Sequence, residues 1–166
     1  MTIRTLTDLY IDQLQDIYSA NKQALDVTKQ LHDTATSRDL KTALADGAQG
    51  ISQGMEQVKG LIRNRDADPT AEFCKGMEGL VKEAKAHAIN ADIADRDVRD
   101  ASIIAQYQRM AHYAMAGYGT ATAFAERLGF DGDAATLRRC LENTRSGDVR
   151  MTGVAVAEVN KEAMAA

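Results

Sequence analysis

The sequence predicts an all-α domain in which four long helices pack antiparallel around one core. Three observations carry this expectation. There is one proline in 166 residues, and proline breaks helix interiors. Apolar residues return at three- and four-residue steps through most of the chain, the period of a helix buried on one side. Tryptophan is absent and aromatic residues make up 5% of the chain. The core must therefore be filled by Ala, Leu, Ile, Val and Met, which suits closely spaced helices better than a sandwich. The length fits one domain over residues 1–166.

The first helix is expected from about Leu6 to Thr34. Thr5 followed three residues on by Asp8 reads as a capping box with Asp in place of Glu. Leu6, Tyr10, Gln13, Ile17, Ala20, Asn21, Ala24, Thr28 and Leu31 fall on one stripe. Thr34–Ser37 is a turn, and Ser37 caps a second helix running to about Asn64. Its stripe is Leu40, Leu44, Ala48, Ile51, Met55, Val58 and Ile62. The run Asp66-Ala67-Asp68-Pro69 ends that helix and starts the next, because proline is tolerated at a helix start. A short helix follows around Glu72–His87, and Asn90–Asp95 is a connection. The next long helix runs from about Arg96 to Leu128, with Gly129 as its C-terminal cap. Its stripe is Ala101, Ile104, Gln108, Ala111, Met115, Tyr118 and Thr122. Asp131-Gly132-Asp133 is a turn in which Asp133 caps a last helix continuing nearly to the end. There the stripe is Leu137, Leu141, Thr144, Asp148, Met151, Ala155 and Val159. At 1.5 Å per residue such helices span roughly 40–50 Å. Short connections favour antiparallel neighbours, with one long crossover through the short helix.

Composition excludes several function classes. A net charge of −4 and a pI near 5.4 speak against a nucleic-acid binder, which needs a basic face. No apolar run reaches the length of a membrane span, and Met1–Leu6 has no apolar signal region. A cytoplasmic protein is expected. Cys74 and Cys140 are far apart without metal-type spacing, and read as free thiols of a reducing compartment.

One long crossover is the hallmark of the ferritin-like arrangement. In that arrangement a di-metal site draws on inward glutamates and paired Glu-x-x-His motifs, whose i, i+3 spacing lets both side chains grip one metal. No Glu-x-x-His occurs here, and His32, His87 and His112 are the only histidines. Several segments nevertheless resemble the YciF-like (YciE/YciF) family of small bacterial ferritin-like proteins. They are Tyr18-Ser-Ala-Asn-Lys-Gln23, Cys74-Lys-Gly-Met-Glu-Gly-Leu80, Val98-Arg-Asp-Ala101, His112-Tyr113, Tyr118-Gly-Thr120, Ala125-Glu-Arg-Leu-Gly129 and Val159-Asn-Lys161. They run collinearly over nearly the whole chain. The resemblance implies a ferritin-like bundle, association with stress responses and a homodimer.

Set against that family's pattern, the expected metal ligands are replaced. Asn21 stands for a glutamate, Gln49 and Ser52 for a Glu-x-x-His pair, Ala111 and Ala114 for the glutamates flanking His112-Tyr113, and Thr144 for a member of a glutamate run. Two divalent ions bring four positive charges that hard oxygen anions normally balance, and these residues supply none. The expectation is a degenerate centre with no metal and no cofactor. His112 and Asp148 are left near it as residual central polar residues, a buried hydrogen-bonded pair or the remnant of a single-metal site. Gly47, Gly50 and Gly54 share one face of the second helix. They read either as a close-contact face for a helix or subunit, or as relaxed sequence after loss of the metal. Glu83 and His87, at i, i+4, read as a solvated polar face. Cys140, next to Arg138 and Arg139, is a candidate for a lowered thiol pKa, with an ordinary packed residue as the plainer reading. Tyr107, Tyr113 and Tyr118 are expected to pack and hydrogen-bond rather than carry redox chemistry. The function that follows is a non-catalytic structural or interaction protein. A metal-handling protein or oxidoreductase with a reduced site is the alternative, and a small-ligand binder using space left by Ala20, Ala24, Ala48, Ala111 and Ala114 is a third.

Overall fold

The computed structural model describes residues 3–165. The long helices are α1 (Leu6–Thr34), α2 (Arg38–Arg63), α4 (Arg96–Arg127) and α5 (Asp131–Val154), with the short α3 (Lys75–Ala84) in the crossover between α2 and α4. A π-helical turn over Lys85–Ile89 extends α3, and another over Ala155–Val159 joins α5 to α6 (Asn160–Met164). Each long helix packs on two others: α1 on α2 and α4, and α5 on α2 and α4. Helices α1 and α5 therefore lie on one diagonal, and α2 and α4 on the other. This is the one-crossover, ferritin-like four-helix bundle the sequence predicts. Helix α3 covers the groove between α1 and α4.

Local chemistry sets the ends. The Thr5 hydroxyl accepts the Asp8 N–H at 3.0 Å while the Asp8 carboxylate accepts the Thr5 N–H at 2.9 Å, a complete capping box. Ser37 Oγ accepts from Leu40 N–H at 3.3 Å and caps α2. Gly129, at φ +73°, closes α4. Its N–H bonds the Glu126 carbonyl, and the Phe130 N–H reaches back to Ala125, the two-bond pattern of a glycine-terminated helix.

Two elements differ from expectation. Pro69 does not begin a helix. Asp66 adopts φ +54° and turns the chain, and α3 starts only at Lys75, capped by the Cys74 sulfur at 3.3 Å from Met77 N. Asp133 is not the cap of α5, which begins at Asp131 with Phe130 in the cap position. Its carboxylate instead accepts the Tyr10 hydroxyl at 2.9 Å and the Arg65 guanidinium at 2.7 Å, and Arg65 stacks 3.5 Å over the Phe130 ring. This cluster ties the start of α1, the end of α2 and the α4–α5 turn together. At the opposite end the fully buried Asp100 of α4 holds the α1–α2 turn. Its carboxylate accepts the N–H groups of Thr36 at 2.9 Å and Ser37 at 2.7 Å, and the Thr36 hydroxyl at 2.8 Å.

The core is two apolar clusters along the bundle axis. One, around Val27, Leu31, Leu40, Leu44, Ile103 and Met151, lies toward the Asp100 end. The other, around Tyr10, Leu14, Val58, Ile62 and Leu137, lies toward the Asp133 end.

Candidate functional site

The waist of the bundle, where a di-metal centre would lie, holds a small cavity of about 20 Å³. Asn21, Ala24 and Thr28 of α1, Ile51 of α2, and Tyr107, Met110, Ala111 and Ala114 of α4 line it. That space is the size of one water molecule. Two metal ions about 3.5–4 Å apart with their bridging ligands need far more. Asn21 is 3% exposed, and its amide donates to the Tyr118 hydroxyl at 2.7 Å. The Thr28 hydroxyl, fully buried, has no hydrogen-bond partner among the described residues.

Tyrosines of α4 fill the centre, and glycines of α2 admit them. A Cβ on Gly54 would stand 2.6 Å from the Tyr118 hydroxyl, and one on Gly47 would stand 2.3 Å from that of Tyr107. Real side-chain carbons do not approach so closely, so only glycine fits with the rings where they are. Burial raises the Tyr118 hydroxyl well above the usual phenol range, with the neighbouring Cys140 adding to the shift. Burial, and secondarily the charge of Asp148, pushes Tyr107 up to about 12. Both stay neutral at physiological pH. Gly76 plays the same part outside the waist: its Cβ would lie 2.8 Å from the Tyr113 ring. Tyr113 donates to Asp16 at 3.0 Å and lies 3.0 Å from the Cys74 sulfur.

The positions expected to be vacated ligand sites do not converge. Asn21, Ala111 and Ala114 line the cavity. Gln49 is exposed and Thr144 half-buried, and both line an outer groove between α2 and α5. Ser52 is half-buried and lines neither. The inward residues of α2 at this level are Ile51, on the cavity, and Gly54, beside Tyr118 and Asn21. The apolar stripe of α2 is in phase, through Leu40, Leu44, Ile51, Val58 and Ile62, but the ligand positions taken from the family pattern, Gln49 and Ser52, fall two residues short of Ile51 and Gly54. The glycine face also divides. Gly47 and Gly54 face tyrosine hydroxyls of the chain itself, whereas a Cβ on Gly50 would meet nothing within 4 Å.

His112 and Asp148 do pair, at 3.3 Å, but not at the centre. The His112 side chain is 64% exposed. Asp148 also accepts from Gln108 at 3.1 Å, and Gln108 reaches Thr152 at 2.9 Å. The pair belongs to a polar seam on the α4–α5 surface, because the inward turn of α4 is taken by Tyr107, Met110 and Ala111. Glu83 and His87 pair at 3.1 Å, both more than half exposed. Among the described residues no group of three His, Cys, Asp or Glu is placed to hold a metal ion. The waist residues do not fit a di-metal centre: its one amide is engaged by Tyr118, and Ala111 and Ala114 have no donor atoms.

Both cysteines are free and buried. The Cys140 thiol donates to Gln57 Oε1 at 3.0 Å. Burial pushes its pKa up, and nearby Arg139 only partly offsets this, so the lowered value suggested by the basic neighbours is corrected. Burial likewise raises Cys74. The expected result is slow modification of both thiols by a disulfide reagent at pH 7.5, with fast reaction only after unfolding. Rapid labelling of either in the native protein would contradict the buried, neutral thiols described here.

The fold and site define a class: a one-crossover four-helix bundle whose waist is packed with tyrosine and small residues instead of carboxylate ligands. Residues 5–164 match the family described as Domain of unknown function (DUF892), and the chain belongs to that family. It is 32% identical to Protein YciF of Escherichia coli (strain K12) over 171 residues, 98% of each chain. The crystal structure of that E. coli stress protein superposes with a TM-score of 0.89 at 31% identity, covering 96% of this chain and 99% of that one. YcfI of Rhodopseudomonas palustris, assigned provisionally as a structural protein, gives a TM-score of 0.84 at 32% identity, covering 90% and 94%. No described helix is long and apolar enough to cross a membrane.

Proposed function

We propose that this protein is a non-catalytic ferritin-like bundle of the YciF stress-associated type, working as a structural or interaction protein with its di-metal centre closed. The carrying observation is the Asn21–Tyr118 hydrogen bond across the waist, beside Ala111 and Ala114 on a cavity of about 20 Å³. Where a metal enzyme places charged oxygen ligands, this chain makes a neutral, internally satisfied contact. The relatives described as a stress protein and as a structural protein agree with that role. It acts in the cytoplasm as a homodimer, without nucleic acid.

The test is elemental analysis of protein expressed with iron and manganese supplied, alongside its mass in solution. The expected result is sub-stoichiometric metal and a particle of twice the 18.0 kDa chain. A full equivalent of iron or manganese, with anomalous scattering beside Asn21, would overturn the closed centre. A monomer at all concentrations would overturn the dimer.

A further inference from the structure

The groove between α2 and α5 lies outside the waist cavity, which it adjoins across Ile51 and Tyr107, and has a volume of about 400 Å³, within the range of small-molecule sites. Gly47, Gly50 and Gly147 lie along it. At Gly50, where a Cβ would meet nothing within 4 Å, a ligand could approach the helix backbone closely, while the space beside Gly47 is taken by the Tyr107 hydroxyl. Glycines alone would make only a gap, but Tyr107 also lines the groove. Its side chain is 94% buried, being 6% exposed, yet its hydroxyl forms no hydrogen bond among the described residues. That hydroxyl lies between the two helices, 2.3 Å from where a Gly47 Cβ would stand and 3.9 Å from that of Gly147. The ring is enclosed while the hydroxyl oxygen keeps contact with the groove, so it is offered as a donor and acceptor to whatever enters there.

The rest of the lining specifies charge. Asp46 and Arg150 form an ion pair with each other, so neither is left to attract a counter-ion. The remaining polar lining is amide and hydroxyl, including Gln49, Gln53, Asn143 and Thr144. Such groups both donate and accept and carry no net charge. Anions and cations find no free partner there, whereas a ligand bearing several hydroxyl groups can match the lining bond for bond.

We infer that the α2–α5 groove, floored by the Tyr107 hydroxyl, is a binding site for a neutral, multiply hydroxylated small molecule of the polyol or sugar class. The groove is open along one side, so binding is weak and readily reversible.

The experiment is an amide chemical-shift titration of the full chain with glycerol, glucose and maltose, and with inorganic phosphate and putrescine as charged controls. At least one neutral compound is expected to give saturable shifts concentrated in residues 43–53 and 143–150, with the charged controls giving none there. Tyr107→Phe should weaken that binding about fivefold, the loss of one hydrogen bond, and leave the fold unchanged because no protein group depends on the hydroxyl. Gly50→Leu should fill the groove and weaken binding more than tenfold without lowering the melting temperature, since Gly50 faces open space. Failure of every neutral compound to saturate, tighter binding of phosphate or putrescine, or shifts unaffected by Gly50→Leu would each overturn the assignment.

Discussion

Asp100→Ala is expected to destabilise the protein by about 3 kcal/mol and lower its melting temperature by roughly 5–15 °C. The carboxylate is fully buried, and all its hydrogen bonds are made to the turn between α1 and α2. Removing it orphans the N–H groups of Thr36 and Ser37, at about 1–3 kcal/mol for each that water cannot reach. It also withdraws a negative charge from the start of α2, where the helix dipole favours one. Asp100→Asn should fall between wild type and Asp100→Ala. Its carbonyl can still accept, but its NH₂ group faces donors and cannot. The check is chemical denaturation of the three proteins side by side. A loss below about 1 kcal/mol for Asp100→Ala would mean that water satisfies the turn and that the carboxylate does not hold it. Through these bonds Asp100 joins three helices at one end of the bundle.

Much of this fold was readable from local chemistry. Thr5, Ser37 and Gly129 act where a helix-end reading places them, because caps depend on residues three or four apart. What was not readable depended on distant partners. Asp133 has the form of a helix cap, yet its carboxylate is taken by Tyr10 and Arg65, 123 and 68 residues away in sequence. Cys74 is a poor capping residue by type, so a search for Ser, Thr, Asp or Asn looks to the Asp66–Pro69 run instead and starts α3 too early, around Glu72 and not at Lys75. Helix α4 packs on α1, α3 and α5, and so buries Asp100, Gln106 and Thr122 as well as Ile103, Tyr107 and Met110. A single apolar stripe cannot describe a helix enclosed on several sides. The waist failed for a related reason. Hydrophobic periodicity gives a glycine no weight, so Gly54, fully enclosed, did not count toward the buried face of α2. The stripe still follows Leu40, Leu44, Ile51, Val58 and Ile62, but nothing in it marks Gly54 as inward, and the positions taken from the family pattern, Gln49 and Ser52, fall two residues short of Ile51 and Gly54. The signal that could have corrected this was the pairing of helix glycines with tyrosines on another helix: each large ring needs a place where a backbone has no Cβ.

That pairing leads to the second large effect. Gly54→Ala should destabilise the protein by about 1–2 kcal/mol, although alanine in place of a helix glycine normally stabilises by about 1 kcal/mol. The added carbon would stand 2.6 Å from the Tyr118 hydroxyl. Tyr118 cannot yield freely, because it is 2% exposed and accepts a hydrogen bond from buried Asn21. Overpacking of an enclosed site costs about 1–3 kcal/mol and exceeds the propensity gain. Gly50→Ala makes the contrast. It lies four residues earlier on the same helix with nothing within 4 Å, and should stabilise by roughly 0.5–1 kcal/mol. Tyr118→Phe removes the clashing oxygen but leaves the Asn21 amide unpaired, so alone it costs about 1–2 kcal/mol. In the Gly54→Ala background it should cost clearly less, giving a favourable coupling of about 1 kcal/mol in a double-mutant cycle. Independent effects, or stabilisation by Gly54→Ala as by Gly50→Ala, would show that the tyrosine is not wedged against the helix. A measured coupling would instead mean that the waist is held closed by steric fit between α2 and α4, so that a ligand-sized space there cannot open without displacing a ring anchored to α1.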